Sequence, residues 1–144
     1  MLNSIEADDY MSINPVTFNI DIDIYEAIHL LLQRNLSGAT VINANNEVVG
    51  VLSEMDCLKA IVNVGYYHEG GGKVSDFMTK GSVETIEKHL SLIDAAQKLI
   101  STGHRRLPVV VEGKFSGQIS ARSLLQAFKD SMTQHDITED EAYV

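Results

Sequence analysis

The chain is short of cysteine, of basic residues and of long apolar runs, and each shortage closes off a class of explanation. Its single cysteine, Cys57, excludes an internal disulfide. Cys57 lies within an apolar helical pattern with no basic cluster beside it, as a small buried hydrophobe does. Lys and Arg number 11 against 20 Asp and Glu, a formal net charge of −9. That balance disfavours nucleic acid as a partner, because such binding rests on cations that neutralise phosphates. No apolar run reaches the roughly 18 residues that span a bilayer, so no membrane role is expected. Met1 to Tyr10 carries three acids and no apolar core, unlike a signal peptide, and a cytoplasmic location is expected.

Catalytic signatures are missing as well. The sequence has no Gly-x-Ser-x-Gly elbow, phosphate loop, Gly-x-Gly-x-x-Gly turn or His-Glu-x-x-His helix motif. Histidines 29, 68, 89, 104 and 135 form no short-spaced pair, so no metal site is expected. A catalytic use of His68 or His104 would lack a linked nucleophile. The expectation is a protein that is not an enzyme.

What the chain does contain is a repeat. Asp9-Tyr10-Met11-Ser12 returns 67 positions later as Asp76-Phe77-Met78-Thr79. The 144 residues suit one compact domain, and at 44 % hydrophobic and 22 % charged they can build a core unaided. In the first copy Val16-Thr17-Phe18 reads as extended, and Asp23 caps a helix to about Asn35 with Ile24, Ala27, Ile28, Leu31 and Leu32 on one face. Ala39–Ile42 and Val48–Leu52 form a hairpin about Asn45-Asn46. Ser53 then caps a helix carrying Met55, Leu58, Ile61 and Val62.

The second copy follows the same order. Ser91 caps a helix with Ile93, Ala96, Leu99 and Ile100; Pro108–Val111 and Phe115–Ile119 form the hairpin; Ser120 caps a helix through Leu124, Leu125 and Phe128. Gly65 to Gly72 reads as a loop. The order β-α-β-β-α, twice, predicts an α/β (α+β) fold: two small mixed sheets with helices on one face, related by a pseudo-twofold axis. Function is expected in the cleft between the halves.

Two local constellations carry chemistry. In Gly50-Val51-Leu52-Ser53-Glu54-Met55-Asp56 a strand runs directly into a helix, and the Asp56 carboxylate can accept both hydroxyls of a ribose. The same Ser-x-x-Asp spacing is also a capping arrangement. In Gly103-His104-Arg105-Arg106-Leu107-Pro108 two arginines precede a strand, where their forked donors suit phosphate or simply meet surface acids.

This ordered set resembles a tandem of cystathionine-β-synthase (CBS) domains, a Bateman module, across about residues 8–129. The resemblance implies repeats at 8–63 and 74–129, a Gly-rich linker at 64–73 and an acidic tail at 130–144. It also implies an adenosine-containing ligand, AMP, ADP or ATP ahead of S-adenosylmethionine or NAD, with no obligatory cofactor. Asp56 is then the ribose ligand and Ser53 a ribose or phosphate contact, with Val51 and Leu52 against the base. Thr79, Lys80, Ser82 and Val83, with the backbone about His104, Arg105 and Pro108, supply the rest of the pocket. Arg105 and Arg106 are implied phosphate contacts, and Arg122 is a further cation. In the second copy Ser123 stands where the ribose aspartate belongs and Gln118 replaces an apolar residue, so one working site is expected.

A stand-alone module of this kind acts in trans on an unidentified regulated protein, as an energy or metabolite sensor in signal transduction. Homodimerisation is expected through exposed Leu58, Ile61, Leu124 and Phe128. The alternative is a ligand-free dimerisation or interaction module with degenerate clefts.

Overall fold

Six helices and seven strands follow from the repeated pattern in a computed structural model that describes residues 4–13, 15–67, 71–81 and 83–135, the side chains of 66, 67, 134 and 135 excepted. His68, Glu69, Ser82 and the acidic run from Asp136 lie outside the described residues. In chain order the elements are α1 (Ala7–Tyr10), β1 (Thr17–Asn19), α2 (Ile24–Gln33), β2 (Gly38–Ile42), β3 (Val48–Ser53) and α3 (Glu54–Tyr67). The second set is α4 (Val74–Phe77), β4 (Thr79–Lys80), β5 (Ile86–Glu87), α5 (Leu92–Thr102), β6 (Arg106–Val111), β7 (Lys114–Ser120) and α6 (Ala121–His135). The fold is α/β, with two small mixed sheets ordered β1-β2-β3-β4 and β5-β6-β7. β1 runs parallel to β2 and β5 parallel to β6, while β2 and β3 are antiparallel.

Local chemistry fixes the boundaries. The Asp23 carboxylate accepts the Tyr25 N–H at 2.8 Å, and the Ser91 hydroxyl accepts the Asp94 N–H at 3.2 Å. Each satisfies a donor that the first helical turn leaves free. The second hairpin turns on Glu112 and Gly113, both at positive φ. Two paired left-handed residues match the twist of the flanking strands.

The chain resolves into two compact units that are offset from the sequence repeats. One comprises Val16–Val83 with the hairpin tip Gly113–Phe115; the other joins the residues up to Pro15 to Glu84–Glu112 and to the chain from Ser116 onward. The opening segment of the first copy therefore belongs with the body of the second. Ala7 donates to the Leu90 carbonyl at 2.9 Å, Leu92 donates back to Ile5 at 2.8 Å, and Ser12 and Gln118 exchange two backbone bonds at 2.8 and 2.9 Å. Ala7 is buried among Ile86, Leu92, Leu99, Val109 and Ile119. His89 and Glu6 meet at 2.7 Å across the same junction.

The opening segment of the second copy does the same in the other unit. Val74 and Phe77 are buried with Phe18, Ile24 and Leu52. Val74 donates to Ile22 and Ile24 to Gly72, both at 2.9 Å, and β4 pairs with β3 at Gly50–Lys80 and Val51–Thr79.

These contacts explain the repeated Asp-aromatic-Met-hydroxyl string. Asp9 and Asp76 accept the N–H of the residue three earlier, Glu6 and Lys73, at 2.9 and 2.8 Å, and so hold a single helical turn. The following backbone then runs against Gly117 or Gly50. A Cβ on Gly117 would lie 2.6 Å from the Ser12 carbonyl, and one on Gly50 would lie 2.8 Å from the Thr79 carbonyl and from the Met78 sulfur. The glycine that opens the Ser-x-x-Asp motif thus admits another segment of this chain.

Three readings are corrected, at Gly65, Leu32 and Leu124. The Gly-rich stretch does not open as a loop at Gly65, because α3 continues to Tyr67 and Gly65 sits on its exposed side. On α3 Leu58 and Ile61 are exposed as expected, together with Met55 and Val62, while Asp56, Cys57 and Ala60 are buried. In α2 Leu32 points outward, and in α5 the buried stripe is Leu92, Ala95 and Leu99, leaving Ile93 and Ile100 exposed. In α6 Leu124 is buried and Leu125 is the exposed neighbour of Phe128. Small residues line parts of these core-facing stripes, which moves the buried face off the stripe of greatest hydrophobicity.

Gly117→Ala should lower the free energy of unfolding by about 1–3 kcal/mol, because the methyl meets backbone that cannot move cheaply. Gly65→Ala, in open space on a helix, should raise it by about 0.5–1 kcal/mol. Urea unfolding of the two variants beside the parent checks both signs.

Candidate functional site

β3 passes into α3 with no intervening residue, and the junction is held by a reciprocal pair. The Ser53 N–H donates to Asp56 Oδ2 at 2.9 Å, and the Asp56 N–H donates to the Ser53 hydroxyl at 3.1 Å. This is the capping-box arrangement. Asp56 is one of the few buried polar residues, 6 % exposed, and its carboxylate has further partners. The Thr79 hydroxyl lies 3.3 Å from both oxygens, and the Lys59 ammonium lies 3.3 Å from Oδ1. Burial alone would raise the pKa of Asp56, but the Ser53 backbone and side chain and Lys59 outweigh it and hold the group below its ordinary 3.8. Asp56 is therefore an anion, preorganised and nearly sealed from bulk water.

Other expected residues lie in the same unit. Val51 is half-buried on β3 opposite Thr79, and Lys80 is exposed next to Thr79 on β4. Val83 is half-buried in the same unit. Leu52 is a correction: its side chain is fully buried in the core, so it offers no surface to a base. Alternation along β3 explains this, since Val51 and Leu52 must face opposite sides. Cys57, next to Asp56, is buried, and burial together with the Asp56 and Glu54 charges pushes its thiol up, which keeps it protonated.

The second unit holds the cationic candidates. His104, Arg105 and Arg106 are exposed at the entrance to β6, and Arg122 is exposed in the first turn of α6. The Arg105 carbonyl accepts the Ala121 N–H at 2.8 Å, which places the two segments side by side. None of the three arginines forms an ion pair with another described residue. Pro108 is buried within β6, so its ring is not part of an open surface.

Ser120 and Ser123 repeat the junction geometry without charge. The Ser120 N–H donates to the Ser123 hydroxyl at 3.0 Å, and the Ser123 N–H donates to the Ser120 hydroxyl at 3.1 Å. The Ser123 hydroxyl spends its own proton on the Ser120 carbonyl at 2.8 Å. The cap survives in the second unit and the anion does not. Lys59 was not singled out in the sequence, although its i+3 spacing from Asp56 is a readable signal. The hydrogen bond from Thr79 to Asp56 spans 23 positions and has no local signal.

A family model for the CBS domain matches the chain twice, at residues 7–63 and 74–130. The chain belongs to the CBS domain family. As a CBS pair it is similar to an uncharacterized protein of Methanocaldococcus jannaschii, 29 % identical over 82 % of this chain and 41 % of the relative. It is also similar to an uncharacterized 17.7 kDa protein of Acidianus ambivalens, 32 % identical over 78 % and 66 %. This CBS pair thus spans about two-fifths to two-thirds of the length of these relatives. Among solved structures it is similar to CBSX2 in complex with AMP, at TM-score 0.73 and 28 % identity, covering 88 % of this chain and 97 % of the other. CBSX2 from Arabidopsis thaliana gives TM-score 0.76 at 26 % identity, covering 90 % and 98 %. No helix among the described residues is long and apolar enough to cross a membrane.

Because Asp56 is held below 3.8 in the folded protein, its contribution to stability is complete above that value and is lost as pH falls through the folded one. Asp56→Ala should cost about 1–2 kcal/mol at neutral pH through loss of the cap. The cost should shrink in strong acid, so parent and variant urea curves should converge as pH drops below 3.8.

Proposed function

We propose that this CBS pair binds an adenosine-containing ligand, AMP first among ADP and ATP, and regulates a partner protein in trans without catalysing a reaction. The observation that carries the reading is the buried Asp56 anion with the Thr79 hydroxyl against it. A carboxylate held in place on a rigid strand-to-helix junction is a good acceptor for the two hydroxyls of a ribose, and charged acceptors bond more strongly than neutral ones. The AMP complex of the similar CBSX2 supports the choice of ligand. Ser53 and Val51 complete the ribose and base contacts. Arg105, Arg106 and Arg122, with His104, belong to the other unit, where they are exposed, without acidic partners among the described residues, and open to an anion. Ser123 gives the second copy a neutral substitute, so the expected stoichiometry is one ligand per chain. S-adenosylmethionine and NAD are the lesser alternatives.

Calorimetric titration of AMP is expected to saturate near one per chain. Asp56→Asn should weaken binding at least tenfold, at about 1.4 kcal/mol per decade, because the charged acceptor is lost. Unchanged binding in that variant would remove Asp56 from the site.

The second reading is a dimerisation or interaction module, favoured by the apolar faces that each unit leaves exposed. Met55, Leu58 and Ile61 on α3, and Leu125, Phe128 and Met132 on α6, are large and uncovered. Exposed apolar surface of this kind marks an interface, and twofold pairing is the commonest way for a chain to cover it. A homodimer is proposed on this basis and is compatible with ligand binding. Phe128→Asp together with Leu58→Asp should convert a dimeric elution volume to a monomeric one in size-exclusion chromatography with light scattering. A double variant that stays dimeric would place the interface elsewhere.

A further inference from the structure

The site acid is already occupied by the protein's own donors, and these donors differ in how firmly they are held. Asp56 Oδ2 accepts the Ser53 N–H at 2.9 Å, a backbone bond that is part of the cap. The remaining acceptor positions go to side chains: Thr79 at 3.3 Å from each oxygen and Lys59 at 3.3 Å from Oδ1. An ionised carboxylate offers about four lone-pair positions. With three donors already on these positions, a vicinal diol that donates two hydrogen bonds has to displace at least one of Thr79 and Lys59. The Lys59 side chain is 60 % exposed and can move its ammonium into water at little cost, whereas Asp56 at 8 % exposure cannot follow it.

Resting on the reading of Asp56 as the ribose acceptor, we infer that Lys59 and Thr79 are internal competitors that set the affinity of this site for a diol. Ligand entry is an exchange: two hydroxyls arrive, the Lys59 ammonium returns to water and the Thr79 hydroxyl is released. The exchange keeps Asp56 ionised and satisfied in both states, so the cap on α3 is never broken. Thr79 lies on β4, whose register with β3 consists of two residue pairs. Occupancy of the acid therefore removes one of the side-chain ties between that short edge strand and the rest of its unit. This assigns Lys59 a specificity role that its solvent-exposed position does not suggest.

The test uses adenosine, a neutral ligand, so that removing a lysine does not also remove attraction for phosphate. Calorimetric titrations compare the parent with Lys59→Met, which keeps an apolar stem, Thr79→Val, which keeps the shape, and Asp56→Asn. Circular dichroism confirms the fold of each. Lys59→Met and Thr79→Val should each bind adenosine about two- to five-fold more tightly, as expected for loss of a half-exposed competing pair. Asp56→Asn should bind far more weakly. A carboxyl titration followed by NMR should show Asp56 rising toward its ordinary value in Lys59→Met, a readout that needs no ligand. Adenosine binding that depends on Asp56 but is unchanged or weakened in both competitor variants would overturn the inference and leave the ribose reading standing. Binding that is indifferent to Asp56→Asn, or absent in the folded parent, would overturn the ribose reading and the inference with it.

Discussion

The fold depends on close backbone approach at two glycines. At Gly117 and at Gly50 a strand lies so near another segment that a single added carbon would meet a carbonyl oxygen at 2.6 or 2.8 Å. Backbone bonds between Ser12 and Gln118, and the pairing of Thr79 with Val51, are possible only at that distance. With them come Ala7 in one core and Val74 and Phe77 in the other. The placement of Thr79 beside Asp56 is a by-product of the same constraint. The site is thus built on a packing requirement and not added to it.

Asp56 and Ser123 separate two duties that the Ser-x-x-Asp spacing combines. Both close the strand-to-helix junction by exchanging bonds with a serine three residues earlier. Only the aspartate keeps a charge at that point, held in the ionised form by its donors. The structural duty tolerates the substitution and the chemical duty does not. A duplicated junction can therefore lose its charge and keep its cap.

Much of this was legible in the sequence, and what was not has physical causes. Helix starts at Asp23 and Ser91 and the turn at Glu112-Gly113 were readable because caps and left-handed turns depend on residues within three or four positions. The Asp56 junction was readable for the same reason, although spacing alone left capping and ligand binding as alternatives. The structure puts the capping bonds in place. The buried faces of α3 and α5 are not their most hydrophobic stripes. Cys57, Ala60 and Ala95 face inward there, while Ile61 and Ile100 face out. The one-turn helices α1 and α4 had no signal of this kind, since four residues give no periodicity to read. The exchange of opening segments had no local signal at all.

That exchange has a consequence for the order in which the protein is made. Ser12 pairs with Gln118, a separation of 106 positions, and Ala7 with Leu90, a separation of 83. The unit that begins at Val16 takes everything up to Val83 from one continuous stretch and can begin to condense while the rest is still on the ribosome. The opening turn has no such neighbour, and its buried alanine must wait for strands that are synthesised much later. Contacts of this span raise contact order and slow folding. The opening turn is made well before its partners and is among the last parts of its unit to find its place.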